Sequence, residues 1–309
     1  MLNLGRLRVL CEVVNRGSFS AAAESLSYTQ SAVSQAIARL EAETGAPLVL
    51  RGRRGITPTP AGAALVSHAE RILEQVRAAE AEIATVMGER AARLRVGSFP
   101  SGGATLMPPA VARFRRSHPD VALTLEDGEP EEIAPRLRAG ELDLALLYEF
   151  PGAQPRSRRL ATGLRSVKLL EDPMRVALPA EHPLAEAAEV RLTDLRDEQW
   201  VQTSVQSPCA RHVVATCVQA GFEPTVAFES DDFDTVQGLV AAGVGVALIP
   251  RLALNRVHPG VAVRELATGG PTRQVTVATV GGGGVSPPAH SMIQMLGDVA
   301  KRFDVRATV

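Results

Sequence analysis

Hydrogen-bonding side chains cluster between Thr29 and Arg39, a segment with no carboxylate before Glu41. Apolar residues in the same segment recur at helical spacing, so the polar residues lie on the opposite face of one helix. Amide side chains can pair with adenine edges, guanidinium groups with guanine, and hydroxyls with bases or phosphates. This chemistry predicts contacts with nucleic-acid bases, and an ordinary solvated helix face is the alternative. The candidate contact residues are Thr29, Gln30, Ser31, Ser34, Gln35 and Arg39.

Three helices and a hairpin are predicted to position that face. A first amphipathic helix starts at Leu4 and stops at Gly17, Ser18 caps a second, and Thr29 caps a third that Gly45 ends. Two short strands then flank a Gly/Arg turn. This order is typical of a winged helix-turn-helix DNA reader. The wing arginines Arg51, Arg53 and Arg54 are candidates for contacts with the DNA backbone or minor groove.

The stretch FSAAAESLSYTQSAVSQAIARLEAETGAPLVLRGRRGITPTPAG, residues 19–62, resembles the DNA-binding domain of LysR-type transcriptional regulators. The resemblance implies a homodimer or homotetramer that binds promoter DNA and has no enzymatic activity. The charge distribution agrees with a DNA-binding head. Residues 1–95 contain 12 basic and 9 acidic residues, whereas residues 96–309 contain 21 basic and 25 acidic residues.

A heptad seam follows the wing, in a helix predicted from about Thr59 to Glu89. The seam residues alternate in steps of four and three, with charged residues between them. We expect dimerisation through this helix, because two reading helices suit a palindromic site. Packing of the helix on its own domain is the alternative. The seam consists of Leu65, Ala69, Ile72, Val76, Ala79, Ile83 and Val86.

Strands and helices alternate in the remaining two hundred residues, which predicts an α/β fold with largely parallel sheets. The predicted strands are 94–98, 121–125, 142–147, 175–178, 200–203, 225–228, 244–249 and 274–280. The predicted helices are 107–116, 131–139, 208–220, 234–242 and 289–303. A loose internal repeat relates 94–147 to 200–250 and indicates two similar lobes with a cleft between them.

Ligands of such sheets bind beyond the carboxyl ends of the strands. Those ends carry two hydroxyl-rich loops, Ser98–Gly102 and Thr203–Ser207, and each loop enters a helix N-terminus. We expect no fixed positively charged side chain beside these loops, because Arg211 lies about one turn inside the helix that follows the second loop. The loops therefore favour a small anion or a carboxylate-bearing metabolite, with Phe99 and Tyr148 as a limited apolar wall.

This region is similar to the LysR effector-binding domain, itself similar to periplasmic solute-binding proteins. The resemblance implies an α/β protein with an all-α winged helix-turn-helix head and a two-lobed periplasmic-binding-protein-like effector domain. The expected boundaries are 1–62 for the head, 63–92 for the linker helix and 93–309 for the effector domain. Lobe I comprises 93–165 and 268–309, and lobe II comprises 166–267. The effector residues carried over are Ser98, Phe99, Pro100, Ser101, Tyr148, Thr203, Ser204, Ser230 and Val246.

Other chemistry finds little support in the sequence. The six histidines show no zinc-binding spacing, the glycine runs lack phosphate- or dinucleotide-binding context, and no nucleophile arrangement is evident. The acidic stretch 231–234 fits a capped helix start better than a metal site. We therefore expect no cofactor, no metal and no catalytic residue. The apolar stretch Leu239–Pro250 has 12 residues, short of the ~18–20 that span a bilayer. With no leader peptide evident, a cytoplasmic protein without a membrane partner is expected.

Two alternatives stay open. Cys209 and Cys217 roughly resemble the redox pair of peroxide-sensing LysR members, although eight residues on a helix separate them by ~12 Å, beyond the ~7 Å Cα limit of a disulfide. Cys209 could also have a lowered pKa at a helix start. The other alternative is a solute-binding protein or an enzyme fused to a DNA-binding head.

Overall fold

The structure is a computed structural model. It describes residues 2–52, 55–86, 93–151, 163–205, 207–267, 270–281 and 285–306. The chain divides into two compact units, one built on Met1–Ala91 and one on Ala92–Leu137, Glu141–Thr279 and Val285–Val309.

Three short helices form the core of the first unit: α1 (Leu4–Arg16), α2 (Phe19–Leu26) and α3 (Gln30–Thr44). The predicted caps are confirmed. The Ser18 and Thr29 side chains accept hydrogen bonds from the backbone N–H groups of Ala21 and Ala32, and Gly17 and Gly45 end their helices in the left-handed conformation. The apolar faces of the three helices pack together around Leu10, Ile37 and Leu40.

The predicted wing is an antiparallel hairpin of β1 (Val49–Gly52) and β2 (Gly55–Pro58), and the long helix α4 (Pro60–Val86) follows it. The Thr59 hydroxyl donates to the Pro47 carbonyl and accepts from the Gly62 N–H at 2.9 Å. A Cβ at Gly62 would lie 1.9 Å from the Leu48 carbonyl oxygen, so only glycine fits there. These contacts explain why the Thr59–Gly62 segment of the motif has threonine at its start and glycine at its end.

The second unit contains ten strands and six α-helices among its described residues. The strands are β3 (Arg93–Ser98), β4 (Ala122–Asp127), β5 (Leu144–Glu149), β6 (Leu164–Pro179), β7 (Glu189–Val190), β8 (Gln199–Gln202), β9 (Thr225–Glu229), β10 (Ala247–Pro250), β11 (Val261–Leu266) and β12 (Thr272–Val280). The helices are α5 (Pro100–Thr105), α6 (Met107–Ser117), α7 (Pro130–Arg138), α8 (Pro208–Gln219), α9 (Phe233–Ala241) and α10 (Pro287–Arg306).

The main sheet has the order β4-β3-β5-β12-β6-β11-β7, and β10 also pairs with β6. Strands β8 and β9 form a parallel pair, and a bridge between Trp200 and Val246 links β8 to the segment before β10. The main sheet is mixed, whereas the sequence predicted largely parallel sheets, because β12 runs antiparallel to β5 and both β10 and β11 run antiparallel to β6.

Some elements were missed or shortened by the sequence prediction. Strand β6 has 16 residues where only 175–178 were predicted, and α5, β7 and β11 were not predicted. The first half of β6 is mostly exposed, so it lacks the apolar alternation on which strand prediction depends. Strand β7 has only two residues, too few to form a pattern.

Candidate functional site

The predicted DNA-contact residues lie on the solvent side of α3. Thr29, Gln30, Ser31, Gln35 and Arg39 are exposed and Ser34 is partly buried, whereas the opposite face is buried. Within the described part of the chain, no side-chain hydrogen bond or ion pair occupies Gln30, Gln35 or Arg39. Their amide and guanidinium groups can therefore meet another molecule without breaking a contact in the protein.

Thr29 has a structural role as well. Its hydroxyl oxygen accepts the Ala32 N–H at 3.2 Å and lies 3.0 Å from the Ser31 hydroxyl. The start of α3 is thus held by the same hydroxyl groups that were predicted to contact DNA.

The wing is fixed to the helices beside it. The Ile56 N–H donates to the Gly17 carbonyl at 2.8 Å, and the Glu41 carboxylate accepts the Leu48 N–H at 2.7 Å. The exposed Arg51 guanidinium lies 4.8 Å from the centroid of the Phe19 ring. Arg53 and Arg54 lie outside the described residues.

The seam of α4 changes character along the helix. Near its start Val66 and Ala69 are buried in the core of the first unit, and Leu65 packs against that core. Further on, Ile72 is 40% exposed and Ile83 is 58% exposed. Packing on its own domain therefore accounts for the first turns only. The Val86 side chain lies outside the described residues.

In the second unit the first predicted loop follows the carboxyl end of β3 and enters α5. Ser98, Phe99 and Ser101 are buried and Pro100 is partly buried. The Ser98 hydroxyl donates to the Phe99 carbonyl at 3.1 Å, and the Phe99 ring meets Tyr148 edge to face at 4.9 Å between centroids. The structure thus brings Phe99 and Tyr148, the predicted apolar wall, into contact.

The expectation of no fixed cation beside this loop is wrong. Arg273, on β12 and 1% exposed, donates from Nη2 to the Ser101 hydroxyl at 2.9 Å and from Nε to the Asp172 carboxylate at 3.0 Å. Its guanidinium also lies over the rings of Phe99 and Tyr148, at 5.1 and 4.5 Å from their centroids. Burial alone would lower the pKa of Arg273, but the Asp172 carboxylate, together with Cys209 and Tyr148, more than offsets burial, so the pKa is raised and the group stays charged.

A second pair lies beside this ion pair. The Tyr148 hydroxyl donates to the Glu129 carboxylate at 2.7 Å. Burial raises the pKa of Glu129, although the hydrogen bond from Tyr148 and the charge of Arg273 act in the opposite direction. Burial, followed by the neighbouring Cys209 and Glu129, raises the pKa of Tyr148 well above its usual value, so its hydroxyl remains a donor.

Two backbone donors of the second predicted loop, at Ser204 and Val205, already have partners. The Ser204 N–H donates to the Asp231 carboxylate at 2.9 Å and the Val205 N–H to Glu229 at 3.3 Å. The Ser207 side chain caps α8 by accepting the Cys209 N–H at 3.2 Å. Backbone donors of this loop were expected to hold an effector anion, but protein carboxylates accept the Ser204 and Val205 N–H groups and the Ser207 hydroxyl accepts the Cys209 N–H.

The other predicted effector residues are spread along the same strand ends. Thr203 is buried directly after β8, and the Ser230 hydroxyl accepts the Asp232 N–H at 3.3 Å. Val246 is buried in the core, where its backbone forms hydrogen bonds with Gln199 and Val201. Asp232 caps α9, accepting from the Asp234 and Thr235 N–H groups, so the helix-start interpretation of the acidic stretch is confirmed.

Both candidate redox cysteines are buried on α8 and free. Burial raises the pKa of Cys217 to about 12 and also raises the pKa of Cys209, despite the Arg273 guanidinium 3.6 Å from its sulfur. The lowered pKa expected of a helix-start thiol is therefore wrong for Cys209. The thiolate is the reactive form of cysteine, so both side chains are in their unreactive state at neutral pH.

Three residues of the polar cluster around Arg273 were not predicted from the sequence: Asp172, Arg273 and Glu129. One signal was available for Arg273, since it shares the inward face of β12 with the buried Val275 and Val277. A charged residue on such a face requires a buried partner.

Comparison with known proteins agrees with both units. The family model described as "Bacterial regulatory helix-turn-helix protein, lysR family" matches residues 4–63, and "LysR substrate binding domain" matches residues 87–301. The probable transcriptional regulator LrrA of Synechococcus elongatus is 34% identical over 86% of each chain. The transcriptional dual regulator GltC of Bacillus subtilis is 32% identical over 85% of each. A full-length OxyR variant from Pseudomonas aeruginosa superposes with a TM-score of 0.61 at 25% identity, covering 97% of this chain and 95% of that one.

The chain therefore belongs to the LysR family of transcriptional regulators. It combines a DNA-binding winged helix-turn-helix head with an effector-binding domain of the two-lobed, periplasmic-binding-protein-like fold. No helix in the described ranges is long and apolar enough to cross a membrane.

Proposed function

We propose that the exposed face of α3 reads promoter sequence while the wing holds the DNA backbone. The observation that carries this proposal is the contrast across α3: one face is buried, and the other presents Gln30, Gln35 and Arg39 without partners in the described protein. In this proposal residues 1–62 form the DNA-binding domain, 63–92 the linker helix and 93–309 the effector domain, with lobes 93–165 plus 268–309 and 166–267. Arg51, Arg53 and Arg54 neutralise phosphates.

The test compares Gln35→Ala with wild type by selection from fragmented genomic DNA followed by sequencing. We expect preference to relax at particular positions of the selected site, at a cost of ~1–3 kcal/mol for a lost bidentate contact. Gln75→Ala, an exposed glutamine on α4, is the matched control and should leave the selected site unchanged. An equal loss of affinity for all sequences in Gln35→Ala would remove its base-reading role.

Assembly is proposed to use the exposed part of the α4 seam, giving a homodimer that can pair into a homotetramer. The support is the exposure of Ile72 and Ile83, two large apolar side chains on one helical seam. The double variant Ile72→Glu, Ile83→Glu would place like charges at a symmetric interface and should give monomers by light scattering. The control Gln75→Glu adds charge to an exposed α4 position off the seam. An unchanged mass for the double variant would contradict the proposal.

The effector is proposed to bind where the carboxyl ends of β3 and β8 carry the two loops. Buried hydroxyl, carboxylate and guanidinium groups meet at the first loop, around Ser101 and Arg273. Binding there alters promoter affinity, and no enzymatic step is involved. The protein acts on DNA in the cytoplasm. A thermal-shift screen against metabolites, followed by titration of Ser101→Ala with the best ligand, tests the location, since unchanged affinity would place the effector elsewhere.

Cysteine redox sensing is the alternative, and burial of Cys209 and Cys217 argues against it. We expect a thiol reagent to label the native protein much more slowly than the urea-unfolded protein at neutral pH. Exposure to hydrogen peroxide should leave the intact mass and the DNA affinity unchanged. Rapid peroxide-dependent loss of the mass of two hydrogen atoms, as disulfide formation produces, would reverse this conclusion if it were abolished in Cys209→Ser.

A further inference from the structure

The donors and acceptors of the effector domain differ in how they are satisfied. At the second loop, the Ser204 and Val205 N–H groups, which were expected to bind an anion, are already paired with the Asp231 and Glu229 carboxylates. Arg273 is likewise paired with Asp172. An anionic group at the second loop would have to displace Asp231 and Glu229, and each of them would then need a new partner.

An acceptor at the same strand end is in the opposite condition. Gln202, the last residue of β8, is 8% exposed, and its Oε1 atom has no hydrogen-bond partner among the described residues. An amide oxygen buried without a donor costs free energy that a ligand donor can recover.

The position of Gln202 places this acceptor beside the acidic residues. In the β8–β9 register Gln202 pairs with Glu229, and its carbonyl accepts the Ser230 N–H at 2.9 Å, next to Asp231. The β-bulge in this pair lies in β9, where Ala227 is the extra residue, and β8 itself is regular. Because side chains alternate along a regular strand, Gln202 lies on the same face of β8 as Trp200. That face contributes to the same core cluster as Phe99, Tyr148 and Cys209.

Two carboxylates lie at this strand end. Asp231 and Glu229 accept the Ser204 and Val205 N–H groups, whereas Glu131 on α7 pairs with the Arg211 guanidinium. Negative charges close enough to interact favour a cation between them.

We propose that the effector carries a protonated amine or a similar cationic N–H group, which donates to Gln202 Oε1 and faces Glu229 and Asp231. This inference rests on the proposed effector function and names the chemical class of the ligand. It differs from the carboxylate favoured by the sequence, because the Ser204 and Val205 N–H groups of the second loop have internal partners and Gln202 Oε1 has none among the described residues.

The experiment uses the full-length protein and a panel of primary amines and carboxylates matched in carbon skeleton, from propylamine and propanoate to benzylamine and benzoate. Thermal shift at millimolar concentration ranks the panel, and calorimetric titration follows for the strongest ligand. We expect amines to rank above their matched acids. Gln202→Leu should weaken the best amine by about tenfold or more, as loss of a hydrogen bond to a charged group does.

Two further variants test whether the effect is specific to the acceptor oxygen of Gln202. Gln202→Glu keeps the shape and an acceptor oxygen, so it should retain or improve amine affinity, whereas Gln219→Leu, an exposed glutamine on α8, should change nothing. A carboxylate as best ligand, weakened by Ser101→Ala, would overturn the amine class and keep the effector site. No amine binding, or binding unaffected by Gln202→Leu, would overturn the inference altogether. The DNA selection with Gln35→Ala tests the regulator function independently of all these outcomes.

Discussion

The reading face of α3 and the polar cluster around Arg273 satisfy their hydrogen-bonding groups in different ways. On α3 the amides and the guanidinium of Arg39 are exposed to water and have no partner in the described protein. Around Arg273 the polar groups are buried, and most of them bond to one another. A surface that meets a polymer can rely on solvent until it binds, whereas a buried cluster needs internal partners in order to fold.

This difference leads to opposite expectations for mutations. Polar residues on α3 should matter for binding and little for stability. Polar residues around Arg273 should matter for stability first. Gln202, whose Oε1 atom has no partner among the described residues, should instead matter for binding alone.

The largest expected effect is on stability, from Arg273→Leu. Asp172 is 0% exposed, so the variant leaves a buried carboxylate without its cation, at a cost of about 3–5 kcal/mol. Urea unfolding followed by circular dichroism measures the loss. Arg39→Leu on α3 is the matched control and should stay within about 0.5 kcal/mol of wild type.

A double variant separates loss of the ion pair from loss of packing. Asp172→Asn combined with Arg273→Met removes both charges and keeps an amide oxygen to accept the Leu252 N–H, now bonded to Asp172 at 2.9 Å. Most of the lost stability should return, because neutral replacement of a buried ion pair costs little. A double variant as unstable as the single one would show that packing, not charge, is decisive here.

A smaller effect is expected at Thr29, which is exposed like the other polar residues of the reading face but also stabilises the fold. This exposed residue caps α3, so Thr29→Ala should lower the free energy of unfolding by about 1 kcal/mol. Thr29→Ser retains the capping oxygen and should recover most of that stability. If Thr29→Ala proved as neutral as Gln35→Ala, the cap would contribute nothing measurable.

The same contrast explains what the sequence could predict. The head is built from local signals: Ser18, Thr29 and Gly45 mark helix ends within a few residues of the side chains they affect, so the helices and the wing were predicted correctly. In the second unit, Arg273 bonds to Asp172 and to Ser101, which lie more than a hundred residues before it in the sequence. No local sequence pattern identifies such distant partners. The two loops were predicted from their hydroxyl residues, but the carboxylates that accept the N–H groups of the second loop come from the next strand end, at Glu229 and Asp231.

The smallest expected effect on stability is at Gln202, and its sign distinguishes a binding residue from a structural one. Because Gln202 Oε1 is buried without a donor, Gln202→Leu removes an unsatisfied polar group while keeping a similar volume. The free energy of unfolding without effector should therefore stay unchanged or rise by up to about 1 kcal/mol. Urea unfolding of the variant beside wild type and Gln219→Leu measures the difference. A loss of more than about 1 kcal/mol would mean that the Gln202 amide supports the fold, and the asymmetry between satisfied donors and a free acceptor would no longer hold.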